Sequence, residues 1–283
     1  MGHIRQLNGK SLRARLAVAA SAAAVAATIW GVATLVEPDG SANARHENAP
    51  RQTDPPNAPP GGGGTPTPGT PGAPGAPSGI PDSIAHASEA GGNAVNITID
   101  DGPDPRWTPK VLDVLKRYDV KATFCMIGPQ AKAHPNLVKQ VVAAGHRLCD
   151  HTLDHDTAMD KKPVAHQERQ ILDAQRMIEE AAGGGARVEY YRAPGGAFTP
   201  DSRRIAAEHG MRPLGWNVDT KDFQKPGAAA IVAAVKKEIG NGPTVLFHDG
   251  GGNREQTVQA LDEVLAWLKE QGRPTGFPVR TAP

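Results

Sequence analysis

The sequence predicts an α/β fold, a distorted (β/α) barrel of about seven parallel strand-helix units, preceded by a signal or membrane segment and a disordered linker. Three observations support this. Short β-branched runs alternate with amphipathic stretches from residue 93 onward. Each amphipathic stretch is long enough for the crossover that joins parallel strands. Charged and histidine side chains follow several of these runs.

The strands are the apolar runs that turn residues separate. They are predicted at residues 95–99, 122–127, 147–149, 188–191, 213–218 and 244–247. The intervening stretches have helical periodicity, with Thr108 and Thr199 as N-caps and Gly145 and Gly210 as stops. These helices are predicted at residues 109–118, 135–144, 164–182, 200–209, 228–239 and 256–271.

A barrel is favoured over an open sheet by the residues at the strand ends. Chemistry-bearing side chains stand at or just beyond the C-terminal ends of five different strands: Asp100, His151, Arg192, Asp219 and His248. In a barrel those ends meet at one mouth, whereas an open sheet would spread them along a crevice. Because about seven units fit instead of the usual eight, we expect the barrel to be incomplete.

Residues 1–44 are predicted to be an export signal. Several basic residues precede an uncharged apolar run at 16–36, which is long enough to act as a membrane anchor. Ala42-Asn43-Ala44 also matches the small-x-small pattern of signal peptidase, so cleavage near Ala44 remains an alternative. Both outcomes predict export across the bacterial plasma membrane, to an extracellular or cell-envelope location.

Residues 45–90 are rich in Pro and Gly and are predicted to be a disordered linker, which leaves 91–283 as the folded domain. A formal net charge of +1 gives no argument for nucleic-acid binding. A small molecule or an uncharged polymer remains open as substrate. We expect a monomer that contacts the membrane only through its N-terminal segment.

Cys125 and Cys149 are the two cysteines of the chain. In an exported protein such a pair favours a disulfide, the alternative being two small buried apolar side chains. Their spacing is not that of a redox or zinc motif, so we predict no catalytic role.

A metal site is predicted around His151-Thr152-Leu153-Asp154-His155. Four-residue spacing places both imidazoles on one face of a helical turn, although a solvated polar turn would also explain it. Thr152 stands where a zinc protease needs its glutamate, which excludes that class. Asp100 or Asp101 is the natural third ligand. Two His and one carboxylate leave a position open for water, as in catalytic sites.

Other chemistries lack their signatures. Residues 100–104 do not fit a calcium loop, because the Asp spacing is wrong and Pro103 interrupts it. No Gly-x-Ser-x-Gly elbow and no phosphate-binding Gly-x-x-x-x-Gly-Lys loop occur in the sequence.

Five segments resemble, in order, the five motifs of the polysaccharide deacetylases, the NodB homology domain of carbohydrate esterase family four. They are Thr98-Ile99-Asp100-Asp101-Gly102-Pro103, His151-Thr152-Leu153-Asp154-His155, Arg192-Ala193-Pro194-Gly195-Gly196, Asp219-Thr220-Lys221-Asp222-Phe223 and Leu246-Phe247-His248. The resemblance extends from about residue 93 to the C-terminus and makes 91–283 the catalytic domain.

The resemblance implies a role for each of these residues. Asp101, His151 and His155 would hold a divalent metal ion, usually Zn²⁺ and sometimes Co²⁺ in this family. Asp100 would be the base that activates water for attack on an acetyl carbonyl. Arg192 would orient Asp100 and form an ion pair with it.

His248 would be the general acid that protonates the leaving amine, with Asp222 tuning its basicity. The backbone N–H of Gly195 would stabilise the oxyanion, together with the metal. The remaining expected substrate contacts are Pro194, Trp216, Asp219 and Leu246.

Three positions depart from the family pattern. Gly195 stands where the third motif usually has an aromatic residue, Phe223 where the fourth has Trp, and Asp150 where Asn commonly precedes the first histidine. These departures predict a wider, less aromatic groove and concern the substrate more than the reaction.

The implied function is metal-dependent removal of N-acetyl groups from an amino-sugar polymer or oligomer, with peptidoglycan or chitin as the expected substrate. An acetylxylan esterase, which removes O-acetyl groups, is the alternative among enzymes. A cell-wall carbohydrate-binding protein that keeps the fold without catalysis is the alternative of another class.

Overall fold

The computed structural model describes residues 79–281. The predicted export signal, with its anchor at 16–36 and its cleavage site near Ala44, lies outside the described residues, as does the linker up to residue 78. Within the part that is described, no helix is both long and apolar enough to cross a membrane.

Parallel strands form one sheet that curls into an incomplete barrel, as the alternation of strands and helices predicted. The strands are β1 (Val95–Asp100), β2 (Thr123–Met126), β3 (Arg147–Asp150), β4 (Val188–Tyr191), β5 (Arg212–Pro213), β6 (Val218–Asp219), β7 (Thr244–His248) and β8 (Thr275–Gly276). Their order is β5-β4-β3-β2-β1-β7-β6, with β8 beside β1. All of β1, β2 and β7 is buried, and the polar residues of β1, Asn96, Thr98 and Asp100, make side-chain hydrogen bonds there.

Helices cover the outside of the sheet and connect its strands. They are α1 (Thr108–Arg117), α2 (Gly128–Ala133), α3 (Pro135–Ala143), α4 (Val164–Ala182), α5 (Pro200–Glu208), α6 (Ala228–Glu238) and α7 (Glu255–Glu270). Thr199 caps α5 as predicted, in a reciprocal pair of hydrogen bonds with Ser202. The prediction for Thr108 is wrong, because this residue lies inside α1 and its hydroxyl donates to Asp249 at 2.6 Å.

Helix α2 was not predicted. Its six residues begin at Gly128-Pro129, a dipeptide that also marks turns. Gly128 packs so closely on α4 that a Cβ here would lie 2.8 Å from Cα of Ala174. The glycine therefore serves helix packing and does not mark a break in the chain.

The predicted strand at 213–218 is divided in two. Residues 212–213 pair with β4 at one edge of the sheet, whereas Val218 and Asp219 pair with β7 at the other. The four residues 214–217 join these edges and leave a seam in the barrel wall.

Residues 79–90 pack against this seam. The N–H of Ala85 donates to the carbonyl of Pro213 at 2.8 Å, and its own carbonyl accepts from Gly215 at 2.9 Å. The hydroxyl of Thr244 donates to the carbonyl of His86 at 2.7 Å. The linker boundary at residue 90 is therefore wrong, since 79–90 belong to the folded domain. Composition does not reveal this because many of the hydrogen bonds that hold the segment are made by its own backbone N–H and carbonyl groups.

Cys125 and Cys149 form the predicted disulfide. They face each other in register on β2 and β3, with their Cα atoms 4.1 Å apart. The bond lies one residue before Asp150 and directly beside Asp100 of β1. It therefore links β2, the neighbour of the strand that carries the first motif, to β3, which leads into the second motif.

The double variant Cys125→Ala/Cys149→Ala should lose about 3 kcal/mol of unfolding free energy, because the bond closes a loop between residues 24 apart in sequence. Urea unfolding with and without reductant measures this. Reductant should lower the midpoint of the wild type but leave that of the double variant unchanged. A wild-type midpoint insensitive to complete reduction would contradict the prediction.

Candidate active site

A cavity of 390 Å³ opens at the C-terminal ends of the strands. Its lining residues come from all five motifs and their neighbours: Asp100, Asp101, His151, His155, Thr157, Ala193, Gly195, Trp216, Asp219, Phe223, Leu246 and His248. The structure thus brings together nine of the twelve residues predicted for the site. Arg192 and Asp222 lie behind this lining, and Pro194 is buried outside it.

Asp101, His151 and His155 form one group of possible metal ligands, with a ligand atom of each within 4.8 Å of the others. Oδ1 of Asp101 lies 3.3 Å from Nε2 of His155 and 3.6 Å from Nε2 of His151. The other ring nitrogen of His151 is 2.8 Å from the carbonyl of Arg192, which fixes the ring and leaves Nε2 toward the group. Burial lowers the pKa of His151 to about 3, so its ring is neutral, the form that binds metals.

The two histidines do not lie on a helical turn, which corrects the prediction from their spacing. Residues 151–155 form a loop in which Thr152 and His155 have φ of 69° and 56°. Asp101, opposite them, has φ of 76°. Left-handed backbone at non-glycine residues is costly and concentrates at functional sites. Tertiary structure, not helix geometry, brings the two rings together.

Asp100 and Arg192 form a buried ion pair beside this group. Nη1 of Arg192 is 2.7 Å from Oδ1 of Asp100 and also donates to Thr98 at 2.9 Å. Oδ2 of Asp100 is 3.6 Å from Nε2 of His151. Burial raises the pKa of Asp100 and the charge of Arg192 opposes this rise, with a net shift upward. Arg192 therefore keeps the carboxyl oriented, and burial leaves it more basic than an exposed aspartate.

His248 and Asp222 form a second pair, in which His248 ends β7 directly beside Asp100 of β1. Oδ1 of Asp222 is 2.6 Å from Nδ1 of His248, and Oδ2 accepts from the His248 backbone and from Thr257. Burial alone would lower the pKa of His248, but the hydrogen bond and charge of Asp222 raise it to about 9. His248 is therefore a cation near neutral pH, with its Nε2 free of this bond.

The groove walls are only partly aromatic. Trp216 is half-buried, and Phe223 is 46% exposed with its ring 5.6 Å from that of His248. Gly195 has φ of 60°, and a Cβ there would lie 3.3 Å from the side chain of Thr157. An aromatic residue at 195 would thus need both strained backbone and displacement of Thr157.

Several supporting residues were not predicted. Thr157 lines the cavity, and Thr257 holds Asp222 from α7. Asp249 is buried against Gly102, and burial raises its pKa to about 7. Nε of buried Arg254 donates to the carbonyl of Gly250 at 2.5 Å. The sequence offered one signal for these supporting residues, namely a polar residue directly after a motif, as Asp249 follows His248.

Comparison with known proteins agrees with this architecture. The family model for polysaccharide deacetylases matches residues 87–214. A chitooligosaccharide deacetylase from Sinorhizobium fredii is 38% identical over 208 residues, covering 69% of this chain and 93% of the relative. A peptidoglycan-N-acetylglucosamine deacetylase from Bacillus cereus is 40% identical over 180 residues, covering 63% of this chain and 83% of the relative.

Among solved structures, a CE4 family pseudoenzyme from Bacillus anthracis superposes with a TM-score of 0.63 at 28% identity, covering 70% of this chain and 68% of that one. A mutant of that protein has restored enzymatic activity. The fold is thus shared by active and inactive relatives.

Fold, site and relatives together define a hydrolase that acts on carbohydrate. The chain belongs to the polysaccharide deacetylase family, carbohydrate esterase family four. The five-motif resemblance in the sequence is thereby confirmed.

The variant Asp222→Asn should lower the pKa of His248, because burial then acts without the opposing carboxylate. A histidine whose folded pKa of about 9 exceeds its unfolded value of about 6.5 stabilises the fold below pH 6.5, and this contribution disappears as pH rises through about 9. The stability difference between wild type and Asp222→Asn should therefore be largest below pH 6.5 and shrink toward pH 9.5.

Urea unfolding across this range, with the His248 ring followed by NMR, measures both effects. Asp262→Asn, which removes an exposed ion pair with Arg117, is the matched control and should give a pH-independent difference in this window. A His248 titration that is the same in wild type and Asp222→Asn would contradict the assignment.

Proposed function

We propose that the chain removes N-acetyl groups from N-acetylglucosamine units of chitooligosaccharide or peptidoglycan. One observation carries this proposal: a group of three metal-ligand side chains, a carboxylate held by a guanidinium and an imidazolium held by a carboxylate all line one cavity. The two relatives named above act on these two substrates.

The donor set fits a divalent metal ion, for which we propose Zn²⁺, with Co²⁺ as the alternative. Asp101, His151 and His155 supply one oxygen and two nitrogens, the ligands of catalytic zinc sites. Oδ1 of Asp101 is buried and has no hydrogen-bond partner among the described residues, as expected of an atom intended for a cation. When bound, such an ion supplies Lewis-acid polarisation of a carbonyl oxygen.

Asp100 would act as the general base. Its carboxylate borders the metal group, and Arg192 occupies Oδ1 and so leaves Oδ2 for a water molecule. Burial raises its pKa, which strengthens the carboxylate as a proton acceptor. It would take a proton from the water that attacks the acetyl carbonyl.

His248 would act as the general acid. Asp222 holds Nδ1 and keeps the ring protonated near neutral pH, so Nε2–H can donate to the leaving amine. Expulsion of an amine needs this proton more than expulsion of an alcohol does. The backbone N–H of Gly195, at the cavity wall, would donate to the developing oxyanion.

The two alternatives make different demands on this site. An acetylxylan esterase would use the same residues on an O-acetyl group, and a wall-binding protein would need none of them. The presence of a pseudoenzyme among the structural neighbours makes the second alternative relevant. The intact ion pairs of Asp100 and His248 favour an active enzyme.

The site of action would be the cell envelope or the medium, with export through the N-terminal sequence and a monomeric catalytic domain. A disulfide between Cys125 and Cys149 is consistent with an oxidising compartment.

Acetate release from N-acetylglucosamine oligomers, peptidoglycan and acetylated xylan, each with added zinc or cobalt, tests the function. We expect release from the amino sugars, and loss of that release on chelation. Release from xylan alone would favour the esterase. Binding without acetate from any substrate would favour the wall-binding protein.

The neighbouring carboxylates allow a matched test of their roles. Asp100→Asn should reduce kcat by at least about 10²-fold while zinc still binds, because a base is lost but no ligand. Asp101→Asn should reduce zinc affinity about 10- to 100-fold or more, since one of three ligands is weakened. Acetate assays and calorimetric zinc titration of both variants distinguish these outcomes. Full activity of Asp100→Asn would overturn its assignment as base.

A further inference from the structure

A second cavity lies beside the active site. It has a volume of 210 Å³ and shares Trp216 with the catalytic cavity. Its lining residues come from the N-terminal segment, the third motif and the seam: Ile84, His86, Gly196, Phe198, Gly215 and Trp216. None of the residues proposed for catalysis or metal binding lines it.

Trp216 borders both cavities, and two successive glycines of the third motif border one cavity each. Gly195 lines the catalytic cavity and Gly196 lines the second one. A Cβ on Gly196 would lie 3.2 Å from Cη2 of Trp216, so a side chain here would press on the shared wall. The glycine at position 196 thus leaves room for the edge of the Trp216 ring.

The chemistry of the second cavity suits a sugar ring. Three rings border it: the half-buried Phe198 and Trp216, and the exposed imidazole of His86. None of its lining residues is an acid, a lysine or an arginine. Flat apolar faces with few polar groups at the edge match a pyranose, whose faces are apolar and whose rim is polar.

The rings are held in place by the fold. Phe198 stacks edge-on against buried Tyr191 with centroids 5.7 Å apart. The His86 ring lies against Gly215, where any side chain would collide with it. The backbone that carries this ring is held by the bond from the Thr244 hydroxyl to the His86 carbonyl and by the two backbone bonds of Ala85. The cavity is therefore largely formed before any ligand binds.

We propose that this cavity, bounded by His86, Phe198 and Trp216, binds a further sugar of the chain whose N-acetyl group lies in the catalytic cavity. The inference rests on the proposed function. It makes the enzyme prefer long oligomers to short ones, with the N-terminal segment as part of the substrate site.

The test compares acetate release from N-acetylglucosamine dimer and hexamer. His86→Ala and Phe198→Ala should lower kcat/KM on the hexamer about tenfold, mainly through KM, and the loss on the dimer should be several-fold smaller. Phe198→Tyr keeps the ring and should restore the preference for the hexamer. Val164→Ala is the control, because it removes an exposed apolar side chain that lines neither cavity. Its ratio of kcat/KM on the hexamer to kcat/KM on the dimer should equal that of the wild type.

Phe198→Ala also loses packing on Tyr191, so its unfolding midpoint is measured as well. If Phe198→Ala unfolds, His86→Ala still tests the cavity, because His86 is exposed. Calorimetric titration with the hexamer tests sugar binding in this cavity separately from the proposed deacetylase function. Weaker hexamer binding by His86→Ala would support the cavity even if no acetate were released and the proposed function failed. Equal loss on dimer and hexamer, or unchanged hexamer binding in both variants, would overturn the inference.

Discussion

The buried guanidinium of Arg192 is the interaction on which the rest of the site depends. It leaves β4 and crosses the barrel interior, where it donates to Thr98 and Asp100 of β1 and to the carbonyls of Leu214 and Gly215. A charge buried this deeply is tolerated only when its hydrogen bonds are satisfied and a counter-ion is present. Because those partners come from β1 and from the seam, one side chain joins two sides of an incomplete barrel.

The same residue also reaches the metal group. Its carbonyl accepts from His151, so its backbone orients a ligand while its side chain orients the proposed base. The His248–Asp222 pair is built in the same way on the neighbouring strand β7, and Thr257 supplies an additional hydrogen bond to Asp222. The proposed base Asp100 and the proposed acid His248 are thus each held by a residue outside the cavity lining, which keeps the cavity surface free for substrate.

Much of this could be predicted from the sequence, and the failures have physical causes. Long periodic helices such as α4 were placed correctly because their apolar stripe is strong. The run 213–218 was misjudged because a single apolar run can serve two edges of a sheet when a seam lies between them. Residue types in the site followed from the motifs. The loop carrying His151 and His155 did not, because left-handed residues leave no periodic signal.

Those left-handed positions have a consequence for evolutionary drift. Asp101 and His155 hold backbone conformations that cost about 1 kcal/mol or more each, and glycine would relieve the strain. While the site is under selection, the chain must tolerate this strain. Once selection for catalysis is relaxed, substitutions at these positions become favourable for the stability of the fold. Loss of activity and gain of stability then proceed together. A family that contains pseudoenzymes alongside deacetylases is the expected result of such a trade-off.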